Sequence, residues 1–179
     1  MKKLALLLFN VALFHRVSAQ PAPPTAVGVA TVQWLQARAY IRELTGNNDG
    51  PDVAALVKAG GGDPAQRPEW CGFTQAACQR AFGLPIPGGG MQGAARAWFP
   101  AARRVALTAT APGDLAGFDY GRGIHHVARV AVLGKPLRAG RPPRSVWTLA
   151  GNEGRGTNAG IHLTNYPAQN IAAFGRWLN

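Results

Sequence analysis

The period of the apolar positions changes once along the chain, near Val105. Upstream, apolar residues recur at helical spacing. In "ATVQWLQARAYIRELTG", Val32, Leu35, Ala39 and Leu44 keep near-helical intervals and Gly46 ends the run, which predicts a first helix. "NNDGPDVAALVKAGGG" predicts a second, with Pro51 in its first turn and Gly60 at its stop. Its "NNDG" lacks the glutamate that closes a calcium loop and reads as a turn and cap. Residues 71–82 predict a third helix, stopped by Gly83 and Pro85, and "GGGMQGAARAWF" reads as a loop and a short helix carrying Trp98. Downstream come short β-prone runs, "DLAGFDY", "HVARVAVL", "SVWTLAG" and "GIHLTNY", set apart by glycine and proline turns. Helices followed by strands predict an α+β domain, with N-terminal helices packed on a small antiparallel β-sheet.

The first residues change where that domain is expected to work. "MKK", the apolar run "LALLLFNVALF" and the small residues "VSA" have the form of a secretory signal peptide over residues 1–19. The apolar run is too short to span a bilayer. Residues 20–30, "QPAPPTAVG" and its continuation, read as a flexible leader, and residues 31–179 as one folded domain. A periplasmic or secreted protein is expected. Loss of Lys2, Lys3 and Arg16 with the signal lowers the net charge from +11 to +8. Such a charge favours anionic partners, a wall polymer or membrane surface among them. No Lys/Arg run interleaved with aromatics points to nucleic acid.

Both cysteines, Cys71 and Cys78, fall in the third predicted helix. Seven residues of helix is a rise of about 10.5 Å, beyond the roughly 7 Å Cα separation of a disulfide. Two free thiols are expected. Cys71 stands at the helix start, where partial positive charge and unpaired N–H groups favour a thiolate and an oxyanion. Cys78, beside Ala77, Ala81 and Phe82, reads as a buried small hydrophobe.

A nucleophilic thiol needs a base. In "GIHHVARVAVL" successive strand residues face opposite ways. His126 shares its face with Ala128, Val130 and Val132, the apolar face expected to meet the cysteine helix. His125 shares its face with Arg129, read as the wetter side. His126 is therefore the preferred base, the competing reading being a histidine merely hydrogen-bonded at a strand end. A third group should orient the ring. Asn152 in "WTLAGNEG" has the strand parity of Thr148 and Ala150, against a plain turn-forming role; Glu153, on the other parity, reads as a solvated turn residue. His162 is a weaker base candidate. Adjacent His125 and His126 without neighbouring ligands speak against a metal site. Trp70 and Trp98 are candidates for lining a substrate groove, with core packing the competing reading for Trp98.

"NDGPDVAALVKAGGG", "EWCGFTQAAC", "PGDLAGF", "HHVARV", "LAGNEG" and the ending "NIAAFGRW", in this order, resemble the CHAP-like cysteine amidases and peptidases, relatives of the NlpC/P60 group. The resemblance spans roughly residues 31–179. It implies a papain-like fold and a cofactor-free hydrolase of amide bonds in peptidoglycan peptide stems, working as a monomer. Cys71 takes the nucleophile position, His126 the base and Asn152 the polar orienter. Two positions depart from the pattern: Ala150 stands where many relatives carry glutamate, and Arg129 where an apolar residue is common. The missing carboxylate keeps open a wall-peptide or protein binding module that does not cleave. A secreted antibacterial amidase toxin is a third reading.

Overall fold

The computed structural model describes residues 23–134 and 142–179. The segment read as a signal peptide and the first residues read as a leader lie outside them. Helix α1 spans Ala26–Gln36, so ordered structure begins inside the segment read as a leader. Thr25 explains the start: its side chain accepts a hydrogen bond from the Gly28 N–H at 3.0 Å, pairing one of the donors a helix start leaves free.

The first helix also ends well short of Gly46, and Leu44 is exposed rather than part of an apolar stripe. Tertiary pairing explains the early stop. Residues 41–43 run extended against the Ala159–Ile161 segment, with Ile161 N–H donating to the Ile41 carbonyl (3.1 Å) and Glu43 N–H to that of Ala159 (2.8 Å). Helices α2 (Pro51–Ala59) and α3 (Cys71–Ala81) fall where the apolar period places them.

Six antiparallel strands follow: β1 (Arg104–Val105), β2 (Leu115–Asp119), β3 (Ile124–Leu133), β4 (Ser145–Glu153), β5 (Gly160–Pro167) and β6 (Ala173–Gly175). Their order is β1-β6-β2-β3-β4-β5. The chain is thus an α+β protein, its four longer strands, β2 to β5, matching the β-prone runs. Strands β1 and β6 have two and three residues, too few to show a period.

Both faces of the sheet are covered, and α3 takes the opposite face from the one expected. Ala131, Leu149 and Ile161 pack with Leu35, Val53, Val57, Trp70 and Cys78 of the helical layer. Val127 and Leu115 pack with Cys71, Ala76, Trp98 and Trp177. His126 lies on the other face against Phe118, whose cluster there also holds Ala128, Val130, Val146, Ile171 and Phe174. Val132, expected beside them, is 53% exposed, because the β3–β4 register shifts between Val130 and Val132.

Arg129 did not mark a wet surface. It is fully buried under α3, where its guanidinium donates to the side-chain oxygens of Gln75, Gln79 and Thr31 (each 3.2 Å) and to the Gly113 carbonyl (2.8 Å). Gln75 and Gln79 are one turn apart on α3, so a polar stripe on the buried side of the helix meets the charge. Burial pushes the guanidinium down from its usual range, against the pull of Cys78 and Asp114.

Candidate active site

The beginning of α3, the beginning of β3 and the end of β4 converge at one end of the sheet. Cys71 is the first residue of α3, whose start has no side-chain cap, so its first N–H groups stay without intrahelical partners. Trp70 anchors that start. It is fully buried, its indole N–H donates to Glu43 Oε1 at 2.9 Å, and its carbonyl accepts the Thr74 hydroxyl at 2.8 Å. Gly151 of β4 lies so close that a Cβ there would meet the Thr74 hydroxyl and come within 2.6 Å of the Trp70 ring. That contact brings the end of β4 against the turn that carries Cys71.

At the head of β3 the register with β2 shifts, Phe118 pairing His126 and Asp119 pairing Ile124. His125 is the extra residue. It is exposed, and its Nε2 bonds the Arg122 carbonyl at 2.8 Å. His126 is nearly buried, and its Nε2 donates to Glu153 Oε2 at 3.1 Å. Cys71 lines the same cavity as the ring, and with Glu153 on Nε2, Nδ1 is the nitrogen left for a sulfur partner. Burial works against a charged ring, but the Cys71 and Glu153 side chains outweigh it and push His126 up to about 10.

The orienting group is Glu153, where Asn152 was expected. Strand β4 carries a bulge: Ala150 pairs His162 and Glu153 pairs Gly160, so two residues of β4 oppose one of β5. Asn152 sits in this bulge in the left-handed region (φ 58°), a conformation asparagine tolerates. The extra residue inverts the parity beyond it and turns Glu153 toward the ring. Asn152 lines the cavity but makes no hydrogen bond to His126 among the described residues. Glu153 is braced from behind, its Oε1 accepting the Tyr166 hydroxyl. Burial raises the Glu153 carboxyl, yet the bonds from His126 and Tyr166 and the His126 charge bring it below its usual range. The Tyr166 phenol is correspondingly raised, by burial and by Glu153. Glu153 and Tyr166 are the residues that sequence reasoning missed. The glycine pair flanking "NE" was the one sign that this turn was not plain strand.

The two tryptophans do not line the groove. Trp70 and Trp98 are both fully buried, and Trp98 packs edge-on against Trp177 with centroids 5.4 Å apart. A cavity of about 460 Å³ opens instead over Cys71, His126, Asn152 and Glu153, with Tyr120 and Arg155 on its walls. His162 is half-buried and bonds the Asn158 carbonyl. Cys78, two turns deeper, is fully buried, near the Thr31 carbonyl (3.6 Å), and burial pushes its thiol up. Both cysteines are free. Among the described residues no group of three His, Cys, Asp or Glu side chains is placed to hold a metal ion.

The arrangement sets a thiol at a helix start, an imidazole beside it, and a carboxylate on the far ring nitrogen. Those are the parts of nucleophilic acyl transfer. Comparison with protein-family models, curated proteins and solved structures finds no match for this chain.

Proposed function

We propose that the protein is a cysteine hydrolase of amide bonds, of the papain-like, CHAP-like kind its sequence resembles, acting on peptidoglycan outside the cytoplasm. The observation that carries this reading is one cavity lined by Cys71, His126 and Glu153, with His126 bonded to Glu153. Cys71 attacks the amide carbonyl as the thiolate. Free N–H groups at the start of α3 receive the developing oxyanion. The protonated His126 gives its proton to the departing amine, then takes one from the water that opens the thioester. Glu153 holds the ring in one orientation and balances its charge, the work the carboxylate missing at Ala150 would do in relatives. Glu153 supplies a carboxylate of the kind missing at Ala150, which favours cleavage over a module that only binds.

Export follows from the signal-like residues 1–19, and the basic mature chain suits attraction to an anionic wall or membrane surface. The test is digestion of purified peptidoglycan by residues 20–179, with mass spectrometry of the released fragments. Cleaved amides, lost in Cys71→Ala, are the expected result. Intact peptidoglycan that still retains the protein would replace this reading with a binding module.

A further inference from the structure

Strand β5 is an edge of the sheet, and its outer side is covered only at the start. Ile161 N–H donates to the Ile41 carbonyl at 3.1 Å, and the Ile161 carbonyl accepts Arg42 Nη1 at 3.2 Å. Residue 161 thus turns its backbone groups away from β4, and that direction alternates along a strand. Leu163 and Asn165 therefore present two more N–H groups and two more carbonyls outward, and nothing bonds to them among the described residues. Natural sheets commonly blunt a free edge with charged side chains. From Leu163 to Tyr166 this edge carries none, and Pro167 closes it.

The sheet face beside this edge is apolar. Val132 pairs Trp147, Trp147 pairs Asn165 and Leu149 pairs Leu163, so Val132, Trp147 and Leu163 share the face on which Leu149 packs under the helices. All three are exposed. The two ends of the free stretch are basic. Arg42 is exposed, with its guanidinium at the Ile161 carbonyl. Arg144 is exposed at the other end, where its carbonyl accepts the Ala168 N–H at 2.8 Å.

We propose that this edge docks an extended acidic segment of another polypeptide, which adds a strand to the sheet beside β5. Main-chain bonds to Leu163 and Asn165 pair the segment, and its alternate apolar side chains rest beside Leu163 and Trp147. Carboxylates toward its two ends meet Arg42 and Arg144. From Ile161 to Pro167 the edge runs about 23 Å at strand rise, so those carboxylates stand roughly six to eight residues apart. A second copy of this chain satisfies the hydrogen bonds but not the charge. Two-fold pairing of β5 about Thr164 would bring Arg42 of one copy toward Arg144 of the other, in a chain with 19 Lys and Arg against 8 Asp and Glu. The inference goes beyond the hydrolase reading and stands without it, although the docked strand would lie along the one whose Tyr166 hydroxyl holds Glu153.

Amide hydrogen exchange by NMR reads the edge directly. Mature Cys71→Ala protein, which cannot cut the probe, is mixed with a capped peptide Glu-Val-Thr-Val-Thr-Val-Glu or with its counterpart carrying lysine for both glutamates. In the free protein the Leu163 and Asn165 amides should exchange fast, while those of His162, Thr164 and Tyr166, turned toward β4, exchange slowly. The acidic peptide is expected to slow Leu163 and Asn165 about tenfold and the lysine peptide to leave them unchanged. Asn165→Pro, tolerated where an edge N–H faces out, should abolish the slowing at an unaltered Tm. The contrast between the two peptides decides the question without that variant. Equal slowing by both peptides, or by neither, would overturn the proposal. So would Leu163 and Asn165 amides already slow in the free protein. Slowing that grows with protein concentration would then give the edge to a second copy, and slowing independent of concentration to this chain itself.

Discussion

Glu153→Gln is the sharpest perturbation of the site, because it keeps shape and removes one charge. The carboxylate accepts from two donors at once, His126 Nε2–H on one oxygen and the Tyr166 hydroxyl on the other. A glutamine has a single acceptor oxygen, so one of those donors must face an NH₂ group. The side chains of His126 and Glu153 are only 11% and 12% exposed, so water does little to screen the loss. A hydrogen bond to a charged partner contributes about 1.5–3 kcal/mol. At about 1.36 kcal/mol per decade of rate, kcat/KM should fall roughly 10- to 150-fold.

The same variant has a pH signature that needs no substrate. The folded His126 is raised from 6.5 to about 10, so its contribution to stability is complete below pH 6.5 and is lost as pH rises through about 10. Glu153 is depressed, so its contribution is complete above about 4.5 and is lost as pH falls through its folded value. The gap in Tm between wild type and Glu153→Gln should therefore be widest between pH 4.5 and 6.5 and shrink toward both extremes. Alkylation of Cys71 by iodoacetamide, followed against pH, should also lose part of its dependence on the His126 proton. Asn152→Gly is the matched control, since glycine keeps the left-handed backbone at φ 58° and removes only the side chain. A larger loss of kcat/KM in Asn152→Gly than in Glu153→Gln, or a Tm gap flat with pH, would refute the assignment of Glu153 as the orienting group.

The two thiols should separate cleanly by site. Cys71→Ala is expected to abolish hydrolysis, whereas Cys78→Ala, which empties one buried atom position, should cost about 1 kcal/mol of stability by denaturant melts and spare the chemistry. Both cysteines should titrate with a thiol reagent in unfolded protein without reductant; a count below two would mean a disulfide. Gly151→Ala drives a methyl into Thr74 and the Trp70 ring and should cost about 1–3 kcal/mol. Because that contact sets the start of α3 against β4, Cys71 alkylation should slow as well; a variant with unaltered Tm and alkylation rate would show that the contact positions nothing.

Local periodicity decided a good part of this protein. The apolar spacing and the Pro51 and Gly60 punctuation placed α2; the run after Trp70 placed α3 and set Cys71 at its first residue. Alternating β-prone runs placed the four longer strands, β2 to β5. These features depend on residues a few positions apart, which is why one sequence suffices to read them. The preference for His126 over His125 came from the same counting of strand faces; both line the cavity over Cys71, His126 nearly buried and bonded to Glu153, His125 exposed and bonded to the Arg122 carbonyl. The assumed apolar face does not meet α3. The fully buried Arg129 does, because Thr31, Gln75, Gln79 and the Gly113 carbonyl, far apart in the chain, assemble around it.

Only the tertiary structure decided the third member of the site. A strand period of two carries parity forward without error until a residue is inserted against its partner, and the bulge at Asn152 is visible only once β4 is paired with β5. One extra residue there exchanged Asn152 for Glu153 and brought Tyr166 in behind it. Trp70 and Trp98 show the same limit. Their chemistry suits a groove or a core equally, and it took Glu43, Gln92 and Trp177, each distant or irregular in sequence, to bury both and leave the cavity walls to Tyr120, Tyr166 and Arg155.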